Sequence, residues 1–234
     1  MDHKRWEQLG GAAGIIGMGM IVVALFLPGT LTPEDSAQEI RQFMIDNRSQ
    51  LLAQAALVGG GVLLFLLFLA TLRNVLRRTE ADTGELSAVM SGSALVAVAM
   101  ILTACAVSAG VVYRSATAID PTLARVIFDA TTVVFTFVGI PTAVFAGTAA
   151  VLMRRSAAFP VWMPILGGVA AVVNALAPLT LFFTKGAWSP MGIASFVPAA
   201  AFFLFVACAG GVLVRHPEAG EVRMPSALAP HPAI

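Results

Sequence analysis

The chain has 234 residues, of which 58% are hydrophobic and only 12% are charged, with 14 basic and 13 acidic side chains. A soluble domain of this length carries charged residues along one face of its helices, so this composition excludes the ordinary soluble globular class. The net charge of +1 gives no reason to expect nucleic acid as a partner.

Six stretches carry no charged residue, and each is at least 24 residues long. A hydrocarbon layer about 30 Å thick needs roughly 20 apolar helical residues at 1.5 Å each, so every stretch can cross a bilayer. We therefore predict an all-α, polytopic membrane protein with six transmembrane helices in a bundle. The spans are expected at about 9–27, 50–72, 87–112, 126–153, 161–182 and 191–214.

The first span follows the basic residues Lys4 and Arg5, as the apolar core of a signal peptide does. Its apolar run, Leu9 to Leu27, is longer than a usual signal core, and no small-residue cleavage site follows it, so we expect a retained helix. The glycines at positions 10, 14 and 17 follow helical spacing and form a small-residue face. Intramolecular packing is the favoured use of this face, with dimerisation as the alternative.

The segment between the first two spans indicates a short amphipathic outer-surface helix at about 33–47. Thr32 is the expected helix cap, with Pro33 in the first turn. Ile40 and Met44 belong to an apolar stripe that we expect to lie on the membrane surface. This helix either anchors the second span or serves as a lid or partner-binding surface.

Within the expected bounds, the fourth, fifth and sixth spans contain four prolines. Asp120 can cap the fourth span and Pro121 fits its first turn, so this helix is expected to begin before its charge-free core. Pro141 is expected to kink it. The fifth span contains Pro164 and Pro178, and the sixth contains Pro198. The tail at 215–234 has few large apolar residues and is expected to be disordered.

Charge asymmetry predicts the orientation. The segments on the side of the two termini hold nine basic residues and the opposite set holds five, which places both termini in the cytoplasm under the positive-inside rule. The amphipathic aromatic residues are expected at the membrane–water interfaces, with Trp6 and Trp162 on the inner side and Tyr113 and Trp188 on the outer side.

Ionisable groups within a membrane are costly and mark functional sites, but this chain places none near the middle of a span. Arg125 and Asp129 lie four residues apart, so they can pair on one helical face. Structural pairing is the favoured interpretation. The alternative is an outward-facing ligand or ion vestibule lined by Arg114, Arg125, Asp129 and Asn174. For Asn174, hydrogen bonding between helices is favoured over ligand contact.

No residue pattern indicates catalysis, a cofactor or a metal site. Phosphate-loop, zinc-protease and serine-hydrolase motifs are absent from the sequence. Cys105 and Cys208 are expected at different depths of the membrane, too far apart for a disulfide, and therefore as free thiols. We therefore expect that this protein is not an enzyme.

Three segments resemble a bacterial family of small multi-pass integral membrane proteins classed as a domain of unknown function. They are Asn47-Arg48-Ser49, the run from Leu72 to Arg78, and Phe159-Pro160-Val161-Trp162. The similarity in layout covers most of residues 5–215. It implies a helical fold in the bacterial cytoplasmic membrane, and it implies no activity and no site residue.

The sequence therefore favours a non-enzymatic membrane module that binds a lipid-like ligand or a partner membrane protein, including a second copy of itself. Small-residue faces and proline kinks permit such contacts, whereas the spans supply no reactive groups. The alternative is a small transporter or permeability factor that uses the Arg125/Asp129 vestibule. The lipid bilayer is the one partner common to both.

Overall fold

The computed structural model describes residues 3–29, 31, 35–80, 83–114 and 119–215, and these form eight α-helices without a strand. The all-α prediction is confirmed. The helices are α1 His3–Phe26, α2 Ala37–Asp46, α3 Arg48–Arg77, α4 Glu85–Arg114, α5 Pro121–Phe137, α6 Gly139–Arg155, α7 Trp162–Leu176 and α8 Phe196–Arg215. Two short 3-10 helices, Ala177–Phe182 and Ile193–Ser195, lie between α7 and α8.

Six helical segments among these residues are long and apolar enough to cross a membrane, which confirms the predicted multi-pass architecture. Five are α1, α3, α4, α7 with its 3-10 extension, and α8 with the short 3-10 helix before it. The sixth is Pro121–Arg155, which α5 and α6 share. The predicted disordered tail falls almost wholly at 216–234, outside the described residues.

The spans pack as a ring in chain order. α1 packs on α3, α3 on α4, α4 on α6, α6 on α7, α7 on α8, and α8 closes the ring against α1. α5 packs against α4 and α2. We call the end of the bundle that carries α2 the α2 end. The opposite end, where α1 begins and α8 ends, is called the terminal end.

The glycine face of α1 allows its two neighbours to approach closely. A Cβ atom built on Gly17 would lie 2.7 Å from the carbonyl oxygen of Gly61 in α3. One built on Gly11 would lie 2.6 Å from the carbonyl oxygen of Gly210 in α8. Only glycine allows the backbones of two helices to come this close. Dispersion contacts between closely packed backbones hold helices together in lipid. The intramolecular interpretation of this face is confirmed.

Phenylalanines from three helices fill the middle of the ring. The ring centroids of Phe65 (α3) and Phe145 (α6) are 6.0 Å apart, and those of Phe145 and Phe202 (α8) are 5.9 Å apart. Phe205 lies 6.3 Å from Phe145 in the same edge-to-face manner. This geometry matches the positive edge of one ring to the negative face of another. The centre of the bundle is therefore packed with aromatic side chains at this level.

The fourth span begins and breaks where its polar and proline residues predict. Asp120 is the helix cap and its side chain accepts a hydrogen bond from the backbone N–H of Thr122, while Pro121 occupies the first turn. The helix is interrupted at Val138, three residues before Pro141. Pro141 has no N–H, so the carbonyl of Phe137 lacks its usual donor and the helix does not continue regularly.

The predicted surface helix exists, but its start and its environment differ from the prediction. α2 begins at Ala37, and its cap is Ser36, whereas Thr32 lies outside the described residues. Ile40 is fully buried and Met44 nearly so, in a small cluster that includes Val112 of α4 and Ala124 of α5. The apolar stripe of α2 therefore faces the bundle and not the lipid, because a helix end and a neighbouring span offer it a protein surface.

The aromatic residues of mixed polarity lie at the ends of the spans, as predicted. Trp6 and Trp162 are exposed near the starts of α1 and α7, at the terminal end. Tyr113 is the penultimate residue of α4 and Trp188 lies in the loop before α8, and both are exposed at the α2 end. Two aromatic belts therefore flank the apolar spans, which is the arrangement that interfacial preference favours.

Substituting Gly17 by Ala is expected to destabilise the bundle, because the added methyl would clash with the carbonyl oxygen of Gly61. Overpacking of this kind costs about 1–3 kcal/mol. Gly19→Ala is the matched control, since a Cβ there has nothing within 4 Å. Both changes gain the same helix propensity. Thermal unfolding in detergent should show a lower midpoint for Gly17→Ala alone, and equal midpoints for the two variants would contradict the packing described.

Candidate functional site

The predicted pair of Arg125 and Asp129 is formed at the α2 end. Nε of Arg125 donates to Oδ2 of Asp129 at 2.9 Å, across one turn of α5. A second guanidinium nitrogen, Nη1, donates to the backbone carbonyl of Asp35 at 2.6 Å. Asp35 lies just before the cap of α2. The guanidinium of Arg125 therefore joins α5 to the start of α2, and this is the structural role that the sequence favoured.

Two further arginines at this end also donate to backbone carbonyls. Nε of Arg41 in α2 reaches the carbonyl of Ile119 at 2.8 Å. Arg48, the first residue of α3, donates to the carbonyls of Val112 and Tyr113 at 2.9 and 2.6 Å. The last carbonyls of a helix have no partner within it and carry partial negative charge, so a guanidinium is a suitable cap. Arg48 thus closes the end of α4.

Carboxylates cap the helices of the α2 end. Ser36 and Glu39 form a reciprocal capping box, in which the Ser36 N–H donates to Oε2 of Glu39 at 2.6 Å and the Glu39 N–H donates to Oγ of Ser36 at 3.2 Å. Hydrogen bonds from the backbone and then the hydroxyl of Ser36 lower the pKa of Glu39. The backbone N–H and then the hydroxyl of Thr122 likewise lower the pKa of Asp120, the cap of α5.

Asn174 lies away from this group of charges. Its side chain is 4% exposed, and Nδ2 donates to the carbonyl of Ala170 at 2.9 Å and to that of Pro198 in α8 at 3.0 Å. The predicted hydrogen bond between helices is confirmed. The backbone of Asn174 lies against Gly139, ten residues beyond Asp129 along the fourth span. At 1.5 Å per residue that corresponds to roughly 15 Å.

The proposed vestibule therefore has a single described polar cluster, formed by Arg125 and Asp129. The structure does not bring Asn174 to them. Arg114 is the last residue of α4, and its side chain lies outside the described set. The vestibule stays a prediction, and the contacts of its described members are those of a structural clamp.

The terminal end contains a buried carboxylate that the sequence analysis missed. Glu7 is 4% exposed, and its Oε1 lies 3.3 Å from Nη1 of Arg78. Glu7 precedes Gly10 and Gly14 on the same helical face, so the small-residue stripe of α1 was the available signal that this carboxylate would face α3. The ion pair joins the start of α1 to the end of α3.

A second carboxylate at the terminal end, that of Glu80, caps the start of α4 from the loop that precedes this helix. Glu80 accepts hydrogen bonds from the N–H groups of Leu86 and Ser87 at 2.8 and 3.1 Å. Burial raises the pKa of Glu80, but the hydrogen bonds from Ser87 and Leu86, together with the positive charge of Arg155, outweigh it and leave the pKa below its ordinary value. An anionic Glu80 matches the positive end of α4.

The described residues contain no group of three or more histidine, cysteine or acidic side chains that could hold a metal ion. Cys105 and Cys208 are free thiols, as predicted. The ion pairs and caps formed by Glu7, Arg48, Glu80 and Arg125 stabilise helix ends and join neighbouring segments. A candidate functional surface has to be sought on the spans themselves.

The outward face of α4 is such a surface. Its buried residues, among them Met90, Ala94 and Ala104, face the ring. The diametrically opposite face carries exposed small residues at steps of three, four or seven, which place them in one stripe flanked by the exposed side chains of Leu95, Val96 and Leu102. We call this stripe the α4 small-residue face; it consists of Ala88, Gly92, Ala99, Thr103, Ala106 and Gly110.

The exposed face of α7 provides a contrast within the same molecule. Its outward residues include Ile165, Val169, Val172 and Leu176, all of them branched aliphatic side chains with more than half of their surface exposed. A lipid-facing helix has no need of small residues, whereas a helix that meets another helix does. A Cβ built on Gly92 or Gly110 has nothing within 4 Å, so neither glycine is explained by packing inside the bundle. Single glycines of other spans, such as Gly168 in α7, share this property, but α4 combines two of them with exposed alanines in one stripe.

No protein-family model, no curated protein and no solved structure matches the chain. The resemblance drawn from Asn47–Ser49, 72–78 and 159–162 thus stays a prediction.

Replacing Arg125 by Gln is expected to loosen α2, because the carbonyl of Asp35 loses a charge-assisted donor. A hydrogen bond to a charged group contributes roughly 1.5–3 kcal/mol, and partial exposure reduces that to about 1 kcal/mol here. Hydrogen exchange of the α2 amides should then quicken by about fivefold. Lys185→Gln, which removes an exposed cation at the same end, is the control, and equal exchange in both variants would contradict the clamp.

Acidification is expected to weaken the α2 end through its caps. The folded-state pKa values of Glu39 and Asp120 lie below their ordinary values. Their stabilisation is therefore complete above the unfolded pKa, near 4, and is lost as the pH falls through the folded value. Thermal midpoints measured from pH 7 down to about pH 3 should fall further in the wild type than in a Glu39→Gln, Asp120→Asn variant. Parallel curves would contradict this assignment.

Proposed function

We propose that this chain is a non-enzymatic accessory protein of the bacterial cytoplasmic membrane that binds a transmembrane helix of a partner protein, in the simplest case a second copy of itself, on the α4 small-residue face. The observation that carries the proposal is the exposed stripe at Ala88, Gly92, Ala99, Thr103, Ala106 and Gly110. It lies opposite the side of α4 that packs in the ring. The proposal includes both termini in the cytoplasm, on the grounds of charge asymmetry.

The physics of association in lipid supports a helix as the occupant. Hydrocarbon tails solvate an apolar helix as well as another apolar helix does, so the hydrophobic effect does not drive this contact. The gain comes from close backbone approach, for which small side chains are required. The interior of this protein already uses that device, since Gly17 meets Gly61 and Gly11 meets Gly210. The α4 small-residue face is the same kind of surface without a partner helix inside the bundle.

A second copy of the chain is the simplest occupant. Two copies inserted in the same direction present their α4 helices in parallel, so around a two-fold axis the stripe meets itself. Small residues spaced by four, such as Ala88 with Gly92 and Ala106 with Gly110, are the pattern that parallel helix pairs use. A lipid-like ligand is the alternative occupant, because an acyl chain can also lie along a shallow groove.

The transporter alternative has weaker support from the described contacts. Arg125 donates to Asp129 and to a backbone carbonyl, and Asn174 donates to two carbonyls. The aromatic cluster around Phe145 occupies the middle of the ring. These contacts favour a packed scaffold as the more economical explanation.

Cysteine crosslinking in isolated membranes tests the proposal. In a chain whose Cys105 and Cys208 are replaced by Ala, Ala106→Cys is expected to give a disulfide-linked dimer on oxidation. Val169→Cys, on the exposed face of α7, is the matched control and should stay monomeric. Adding Gly110→Leu to the Ala106→Cys chain should abolish the dimer, because a bulky side chain separates the backbones.

Other outcomes discriminate between the occupants. A discrete heavier adduct in place of the dimer, lost on Gly110→Leu, identifies a different membrane protein as the partner. In a native mass spectrum, the contrary result is one lipid species released from the wild-type protein but not from the Gly110→Leu variant. That result identifies a lipid-like ligand as the occupant and overturns the helix-docking proposal. Equal crosslinking at positions 106 and 169 shows random collision and overturns it too.

A further inference from the structure

Three irregular helix segments meet at one place inside the bundle. The interruption of the fourth span at Val138 brings Gly139 against α7, where a Cβ on Gly139 would lie 2.5 Å from the carbonyl oxygen of Asn174. α7 changes to a 3-10 helix at Ala177, directly after this contact. The carbonyl of Pro198, in the first turn of α8, accepts a hydrogen bond from Asn174. We call this meeting point the Asn174 node.

The side-chain amide of Asn174 has a defined orientation with an unused acceptor. Both groups near its terminal nitrogen, the carbonyls of Ala170 and Pro198, can only accept hydrogen bonds, so that atom is Nδ2 and carries the two N–H groups. Oδ1 must then point elsewhere. Among the residues that the structure describes, no donor reaches it, although Asn174 is 4% exposed.

Thr142 supplies a second unused group on the neighbouring helix, one turn after Gly139. Buried threonines in helices usually donate their hydroxyl to a carbonyl three or four residues earlier. Thr71, Thr131 and Thr180 do so here. Thr142 is 5% exposed, yet its hydroxyl makes no hydrogen bond with the described part of the chain. Of the buried threonines described, it is the exception.

Neither oxygen is fully enclosed by the bundle. Every fully enclosed side-chain nitrogen or oxygen among the described residues has a hydrogen-bond partner. Because Oδ1 of Asn174 and Oγ1 of Thr142 have none, each must keep some accessible surface. The carbonyl of Phe137, one turn before Pro141 on the same span, also lacks its usual donor, since Pro141 has no N–H. Unpaired polar groups inside an apolar bundle are costly, so an occupant that pairs them is stabilised.

We propose that the Asn174 node binds a neutral hydroxyl group, which donates to Oδ1 of Asn174 and accepts from the hydroxyl of Thr142. A hydroxyl both donates and accepts, as these two oxygens require. No ionised side chain is described at the node, so a charged ligand would remain uncompensated in a medium of low polarity. The hydroxyl comes either from a water molecule or from an alcohol-bearing lipid. This inference is independent of the α4 small-residue face.

An isosteric substitution tests the proposal. If no hydroxyl binds, Thr142→Val removes an unpaired polar group and the thermal midpoint stays the same or rises. If a hydroxyl binds, the same change deprives it of a donor, and we expect a midpoint lower by about 2–4 °C. Thr131→Val is the control, because the Thr131 hydroxyl donates only to carbonyls of its own helix. An unchanged or raised midpoint for Thr142→Val overturns the proposal.

A double-mutant cycle guards against an unrelated packing effect of valine. Thr142 and Asn174 make no described hydrogen bond with each other, so a shared third group would couple their substitutions, and Gly139→Ala combined with Thr142→Val measures the coupling that comes from helix packing alone. Thr142→Val and Asn174→Ala together are expected to destabilise by less than the sum of the single changes. Additive effects overturn the proposal even if each variant is less stable.

Defined lipid vesicles identify the source of the hydroxyl. Dioleoylphosphatidylcholine has no hydroxyl group. If Thr142→Val lowers the thermal midpoint in vesicles made of this lipid only, the bound hydroxyl belongs to water. An effect that appears only after dioleoylglycerol is added assigns it to a lipid alcohol. If Thr142→Val has no effect in either vesicle, no hydroxyl is bound and the inference is wrong.

Discussion

Backbone N–H and C=O groups within hydrocarbon have no water to bond with, and this constraint governs most contacts in the molecule. Regular helices satisfy it along the spans. Where helices end or break, the protein supplies side-chain partners. Arg48 covers the last carbonyls of α4, and Glu80 covers its first N–H groups. The polar side chains at the ends of the spans therefore serve mainly to complete the backbone's hydrogen bonding.

The same constraint explains why charged residues of this chain mislead when they are considered in isolation. A cluster of Arg41, Arg48 and Arg125 at one end of a bundle suggests an anion site. Each guanidinium instead donates to a backbone carbonyl of another segment. Such carbonyls cannot be identified from sequence, because they belong to residues 64 to 90 positions away in the chain. The number and sign of the charges were visible in the sequence, but their acceptors were not.

The number of spans, the start of the fourth span and the pairing of Arg125 with Asp129 were predictable because each depends on local sequence. Charge-free length determines the first, cap chemistry at Asp120 the second, and a four-residue helical spacing the third. The environment of α2 was not predictable. Its apolar stripe fits a lipid surface and a protein surface equally well, and only the position of Val112 and Ala124 decides between them.

Burial separates the two classes of small residue in this protein. The glycines of α1 and the stripe of α4 are both small residues at helical spacing, so sequence alone does not tell which of them packs inside the bundle. In the structure Gly17 touches the backbone of α3, whereas Gly92 touches nothing within 4 Å. Glycine costs helix stability relative to alanine, so each exposed glycine in a span weakens its helix by up to about 1 kcal/mol. For the α1 glycines that meet α3 and α8 that cost is offset by close packing, and on α4 the proposed partner helix would offset it.

The Asn174 node and the α4 small-residue face are the two features that packing inside the bundle does not explain, and they lie on adjoining parts of the ring. α4 packs on α6, and α6 carries Thr142 and Gly139. The fourth span is divided at Val138, where the carbonyl of Phe137 lacks the N–H that Pro141 cannot supply, although Val138 still donates to Val134 and accepts from Thr142. A helix that lacks a hydrogen bond bends at lower cost than a complete one. Both unexplained features therefore depend on how α4 packs against the half of the fourth span that follows this point.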